Sequence, residues 1–170
     1  MKIKTGSKSG AEIGFDEKLE SILKLDADTQ IKAVTYPPGE IFLERGSLWI
    51  FRERDEAPGL PARTVLKIFT KDGAVRTESG GCLVQASAQG TWVKVFGDGA
   101  EVIEFSKKGK KASTNKINEG FKFLLAAKSA GNSFERLQYG DYAEWQRWVK
   151  TLYEKRDDRA SERLSREIGV

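Results

Sequence analysis

The chain has 170 residues, 39% of them hydrophobic and 32% charged, with a formal net charge of +4. That length suits one domain with appendages, and that mixture excludes a disordered or membrane-embedded chain. The longest uncharged run, between Gly80 and Lys94, is too short and too polar to span a bilayer. Lys2 and Lys4 are followed by Gly and Ser rather than by an apolar stretch, so no secretory signal is read and a cytoplasmic location is expected. The single cysteine, Cys82, can close no internal disulfide and build no thiolate metal cage. Charge is concentrated: from Lys107 to Lys122 six lysines face one acid, Glu119, a local +5 that exceeds the charge of the whole chain.

In chain order, residues 1–14 begin with the small, polar and basic MKIKTGSKSG and are predicted to form a flexible basic arm. Phe15, Leu19, Ile22 and Leu23 recur at helical spacing, with Asp16 and Glu17 suited to a first turn, so residues 15–39 are read as an N-terminal helix (to about residue 27) and a linker ending at Tyr36-Pro37-Pro38-Gly39. Short β-rich runs follow. The expected strands are Glu40 to Phe51, Arg63 to Thr70, Ala74 to Glu78, Cys82 to Ser87, Thr91 to Phe96, Glu101 to Ser106, Phe121 to Ala127 and Ser133 to Tyr139. Asp72-Gly73 and Gly97-Asp98-Gly99 read as hairpin turns. Strands this short and close together predict an antiparallel sandwich or partly open barrel, with no room for the helical crossovers of a parallel sheet. After Gly140, Tyr142, Trp145, Trp148, Val149 and Leu152 share one face of a helix that caps the sheet; residues 156–170 continue it as a charged extension into solvent, supported by pairs such as Glu162 with Arg166.

A β-domain closed by one amphipathic C-terminal helix with a central tryptophan resembles the pleckstrin-homology superfamily. The stretch from Phe121 to Tyr153 is similar to that family's last two strands and helix, with Trp148-Val149-Lys150-Thr151-Leu152 matching its usual ending and Trp148 a better fit than Trp145 to its tryptophan. Gly46-Ser47-Leu48 is similar to the Gly-x-Leu of its first strand. The resemblance covers residues 40–155 and implies a sandwich of seven strands. Eight are counted here, so either Cys82 to Ser87 is loop or residues 40–45 are an added piece.

Histidine is absent, which removes the commonest general base and metal ligand together, and no nucleophile–base pair, metal site or cofactor motif is read. The chain is therefore expected to be no enzyme. Gly109-Lys110-Lys111 lacks the rest of a phosphate-binding loop. The resemblance implies an acidic-phospholipid site with cations at the end of the first strand and the start of the second, here Arg52 and Arg54, then Arg63 and Lys67; Asp55 and Glu56 between them oppose a phosphate. The loop from Ser106 to Lys116 places Lys107, Lys108, Lys110 and Lys111 close together, which suits diffuse attraction to an anionic leaflet, roughly 1 kcal/mol per basic group. The first expectation is thus a module recruited peripherally to membranes through phosphatidic acid or a phosphoinositide. The second is a scaffold that presents its N- or C-terminal helix to a protein. Nucleic acid is not the expected partner, because Trp145 and Trp148 fall on a buried helix face.

Overall fold

The computed structural model describes residues 1–15, 20–33, 39–53, 65–105, 111–126 and 133–168. Twelve strands and one helix carry them: β1 (Lys2–Lys4), β2 (Ala11–Gly14), β3 (Ser21–Leu25), β4 (Gln30–Ala33), β5 (Glu40–Arg52), β6 (Leu66–Phe69), β7 (Gly73–Thr77), β8 (Gly80–Ser87), β9 (Gly90–Phe105), β10 (Lys111–Asn118), β11 (Phe121–Ala126), β12 (Ser133–Arg136) and α1 (Tyr139–Ile168). The strands form two layers that share β5 and β9. Sheet A runs β1-β4-β5-β6-β7-β9-β10, and sheet B runs β2-β3-β5-β8-β9-β11-β12. The body is a barrel-like β-sandwich closed by a C-terminal helix, as the sequence predicts.

The two long strands change layer at glycine-bearing corners. Residues 41–45 of β5 pair with β4 in sheet A, and from Gly46 onward the strand pairs with β8 in sheet B. Gly46 sits at φ +92, a left-handed conformation costly for any side chain, and a Cβ there would also meet Thr29 at 2.5 Å. The expected hairpin at Gly97-Asp98-Gly99 is instead the corner of β9, where Asp98 takes a φ of 59° and the strand runs on from sheet B into sheet A. Two predicted strands are therefore one. Glycine, Asp and positive φ are common to tight turns and to strand corners, so the local signal did not separate them.

The N-terminal third departs most from expectation. The basic arm carries β1 and β2, and no N-terminal helix forms among the described residues: Phe15 follows β2, Ser21–Leu25 is strand β3, and residues 16–19 lie outside the described residues. Ile22 and Leu23 mimic helical spacing because β3 is buried on both faces. Leu23 and Leu25 enter the core between the sheets, while Ile22 lies on the outer face beneath α1. A strand covered on both sides shows an apolar run rather than alternation.

Two further corrections concern pairing. β5 and β6 are parallel, with Glu40 opposite Lys67 and Phe42 opposite Phe69. The second half of β5 carries the chain away through sheet B, and residues 54–64, which lead on to β6, lie outside the described residues. The lysine loop is also shorter than predicted: Lys111–Asn118 forms β10, antiparallel to β9, and residues 106–110 lie outside the described residues. Both Cys82–Ser87 and residues 40–45 are strand, so the first of the two alternatives, loop at Cys82–Ser87, does not hold.

The core between the layers gathers Leu23, Leu25, Ile31, Leu43, Leu48, Ile50, Ile68, Val75, Val93 and Phe123 among others. α1 covers sheet B from outside, burying Trp148 and Leu152 against Ile22, Trp49, Phe51, Leu83 and Phe96. Beyond Tyr153 the helix continues as predicted, but its next turn is not free in solvent. Lys155 pairs with Glu12, and Arg156 Nη1 lies 2.9 Å from Glu53 Oε2. The side chain of Arg166, and with it the predicted pair with Glu162, lies outside the described residues. No helix among the described residues is long and apolar enough to cross a membrane.

Candidate functional site

Strand alternation gives sheet A an inner and an outer face. Ile3, Ile31, Ile41, Leu43, Ile68, Val75 and Val102 point inward, so their neighbours Lys2, Lys32, Glu40, Phe42, Lys67, Phe69, Arg76, Glu101 and Ile103 point outward. Cross-strand register sorts the outward residues into two adjacent rows. One is charged: Glu40, Lys67, Arg76, Glu101 and Lys116 stand opposite one another on β5, β6, β7, β9 and β10. The other is mainly apolar in its middle: Lys2, Lys32, Phe42, Phe69, Ala74, Ile103 and Thr114 on β1, β4, β5, β6, β7, β9 and β10. Phe42, Phe69 and Ile103 are partly buried, and they belong to neither the core between the sheets nor the cluster under α1.

The charged row is tied by ion pairs. Lys67 Nζ lies 3.5 Å from Glu40 Oε1, and Arg76 Nη1 donates to Glu101 Oε2 at 2.8 Å. At the β9 corner a cavity of about 400 Å³ opens beside this row, lined by Val65, Arg76, Glu78, Ser79, Asp98, Gly99, Ala100, Glu101 and Lys116. Ser79 Oγ donates to Asp98 Oδ2 at 2.6 Å, and Arg76 Nε is buried without an acceptor among the described residues. The wall carries three acids, Glu78, Asp98 and Glu101, against two cations, Arg76 and Lys116, so the cavity does not suit a polyanion.

The residues predicted to hold a phospholipid headgroup do not converge where they can be placed. Arg52 ends β5 on the inward side, in step with Ile50, and its Nη1 donates to the Thr77 carbonyl at 3.4 Å. Lys67 is on the outer face of sheet A with Glu40. Lys111 opens β10 opposite Phe105, four residues along β9 from the Lys67 row, roughly 13 Å away. Arg54, Arg63, Lys107, Lys108 and Lys110 lie outside the described residues. What the sequence reading missed is the outer row of sheet A. Its signal was present in Glu40-Ile41-Phe42-Leu43 and Leu66-Lys67-Ile68-Phe69, where an aromatic occupies the face that alternation reserves for polar groups.

The opposite side of the molecule is closed. Trp145 stacks on Phe96 at 4.9 Å between centroids, Trp148 meets Trp49 edge-on at 6.0 Å, and Trp148 Nε1 donates to Glu12 Oε1 at 3.0 Å. Gly81 makes room for Trp145, since a Cβ there would lie 2.1 Å from the indole. Burial alone would raise the Asp141 carboxyl. The Lys94 ammonium at 2.7 Å, the Gln138 N–H and the charge of Lys122 outweigh that effect and hold it below the usual carboxylate range. The Asp141–Gln138 bond is half of a capping box at the start of α1. Burial pushes the Cys82 thiol up to about 12.

No family model matches the chain, and no curated protein matches it. Similar folds occur among solved structures: two of them, each of a candidate anti-sigma factor from Parabacteroides distasonis ATCC 8503, align over 86% of this chain with TM-scores of 0.65 and 0.64 at 12% and 13% identity. This chain spans 64% of the length of those neighbours. At such identity the likeness is one of fold.

Proposed function

We propose that this protein is a non-catalytic module that binds another polypeptide. The observation that carries the reading is the outer face of sheet A, a formed surface of apolar and charged rows with a cavity beside it. The neighbours in fold support it, because an anti-sigma factor is named for acting on another protein. From the pleckstrin-homology resemblance the proposal keeps the β-body, the closing helix and the buried Trp148, and it moves the binding surface from the predicted basic loops to sheet A. Of the two helices first considered as protein-binding elements, only α1 exists among the described residues, and its aromatic face is spent on sheet B.

Two assays on the full chain test this. Photo-reactive residues on both outer faces, in cells of the source organism, are expected to join the chain to one defined polypeptide from sheet A and not from α1. Sedimentation with phosphatidylcholine vesicles containing phosphatidic acid is expected to leave the chain in the supernatant. Salt-sensitive pelleting with those vesicles, without a crosslinked polypeptide, would return the function to peripheral membrane binding through Lys107, Lys108, Lys110 and Lys111.

A further inference from the structure

We infer that the outer face of sheet A receives an amphipathic α-helix whose apolar stripe is flanked by acidic residues. The inference rests on the polypeptide-binding reading and specifies its ligand. The fold itself shows what such a face can hold: on sheet B, an outward apolar patch made of Ile22, Trp49, Phe51 and Phe96 is covered by α1. Sheet A bears a smaller outward apolar row, Phe42, Phe69 and Ile103 with Ala74 buried between them, and Phe42, Phe69 and Ile103 join neither of the two buried clusters formed by the described residues. Across β5, β6, β7 and β9 this row spans three strand spacings, roughly 15 Å, which three turns of helix would cover.

Charge selects the flanks of the visitor. Glu40, Glu44 and Glu101 already have cations at hand in Lys67, Lys2 and Arg76. Among the described residues Lys4, Lys32 and Lys116 have no acidic partner, and they stand at the two ends of the face. A ligand with carboxylates on both sides of its apolar stripe complements them. One such carboxylate can meet the exposed edge of the Arg76 guanidinium, whose side chain is 36% exposed in the charged row beside the patch. An anionic bilayer fits the face less well. Phe42 and Phe69 are partly buried and do not protrude as insertion requires, and Glu40 and Glu101 interrupt the cations.

The experiment is selection from a displayed library of random peptides of about 16 residues, long enough for a helix of roughly 24 Å, followed by binding of the selected synthetic peptides to the full chain. Enriched sequences are expected to carry apolar residues at i, i+3, i+4 and i+7 with an excess of Asp and Glu. Affinity should fall about tenfold for Phe42→Ser or Phe69→Ser and several-fold for Arg76→Ala. With the unsubstituted protein, peptide-induced amide shifts should cluster on β6, β7 and β9, a readout independent of how the variants fold. Peptides that bind with the same affinity to the Phe42 and Phe69 variants, with shifts elsewhere, would overturn this inference and leave the polypeptide-binding reading standing. Enrichment of no peptide, together with vesicle binding that depends on Phe69, would overturn both.

Discussion

Cys82 lies in β8, buried in the core between the layers, where its thiol is raised to about 12 and has no access to solvent. Its labelling by a thiol reagent at neutral pH is expected to proceed only at the rate of global unfolding, and fast labelling of the folded protein would contradict the core assignment. Asp141 yields a prediction with a defined sign. Its carboxyl is depressed in the folded state, so the stabilisation it contributes is present above the ordinary carboxylate value of about 4 and is lost as pH falls through the lower folded value. Asp141→Asn should cost about 1 to 3 kcal/mol at pH 7, with the difference from the parent vanishing at the acid end of a urea-unfolding series. At Gly81 the issue is space: Gly81→Ala must move the Trp145 ring or the strand, and a loss of about 1 to 3 kcal/mol is expected. A red-shifted tryptophan emission would report the displaced indole.

Helix α1 is held by its aromatic face more than by its charges. Truncating Trp148 removes the packing against Trp49 and the bond to Glu12, so Trp148→Ala should cost about 3 to 5 kcal/mol, read as a fall in the urea midpoint. A Trp148→Ala protein that unfolds like the parent would contradict the closing role of the helix. This element was legible in the sequence because every signal agreed: Trp145, Trp148 and Leu152 repeat at helical spacing, and the charged positions between them are solvent-facing. β3 was illegible for the opposite reason. Covered by the core on one side and by α1 on the other, its Ile22-Leu23 pair loses the alternation by which a strand announces itself, and the pair's spacing from Phe15 imitates a helix. The outer row of sheet A was overlooked through a different error. The lysines of residues 107–111 stand out as a run, whereas Lys67, Arg76, Glu101 and Lys116 are scattered over 50 positions of sequence and meet only through strand register.

At the scale of the molecule, the β-rich middle and the closing helix were foreseen, but the two-layer weave was not, since Gly46 and Asp98 look alike whether a chain reverses or merely turns a corner. β5 and β9 each contribute hydrogen bonds to both layers. A sandwich of two independent sheets can part along the plane between them; this one has no seam, because prising the layers apart means breaking strands common to both. Neither layer can then open while the other stays intact. Unfolding should be a single transition, with far-ultraviolet dichroism and tryptophan emission superimposing, and the amides of β5 and β9 should exchange with deuterium last, at the free energy of complete unfolding. An early-melting sheet A would contradict this. The tie also bears on ligand capture: an occupant of one outer face is felt by a body that yields only as a whole, so its binding energy adds to the stability of every strand, including those on the far side beneath the helix.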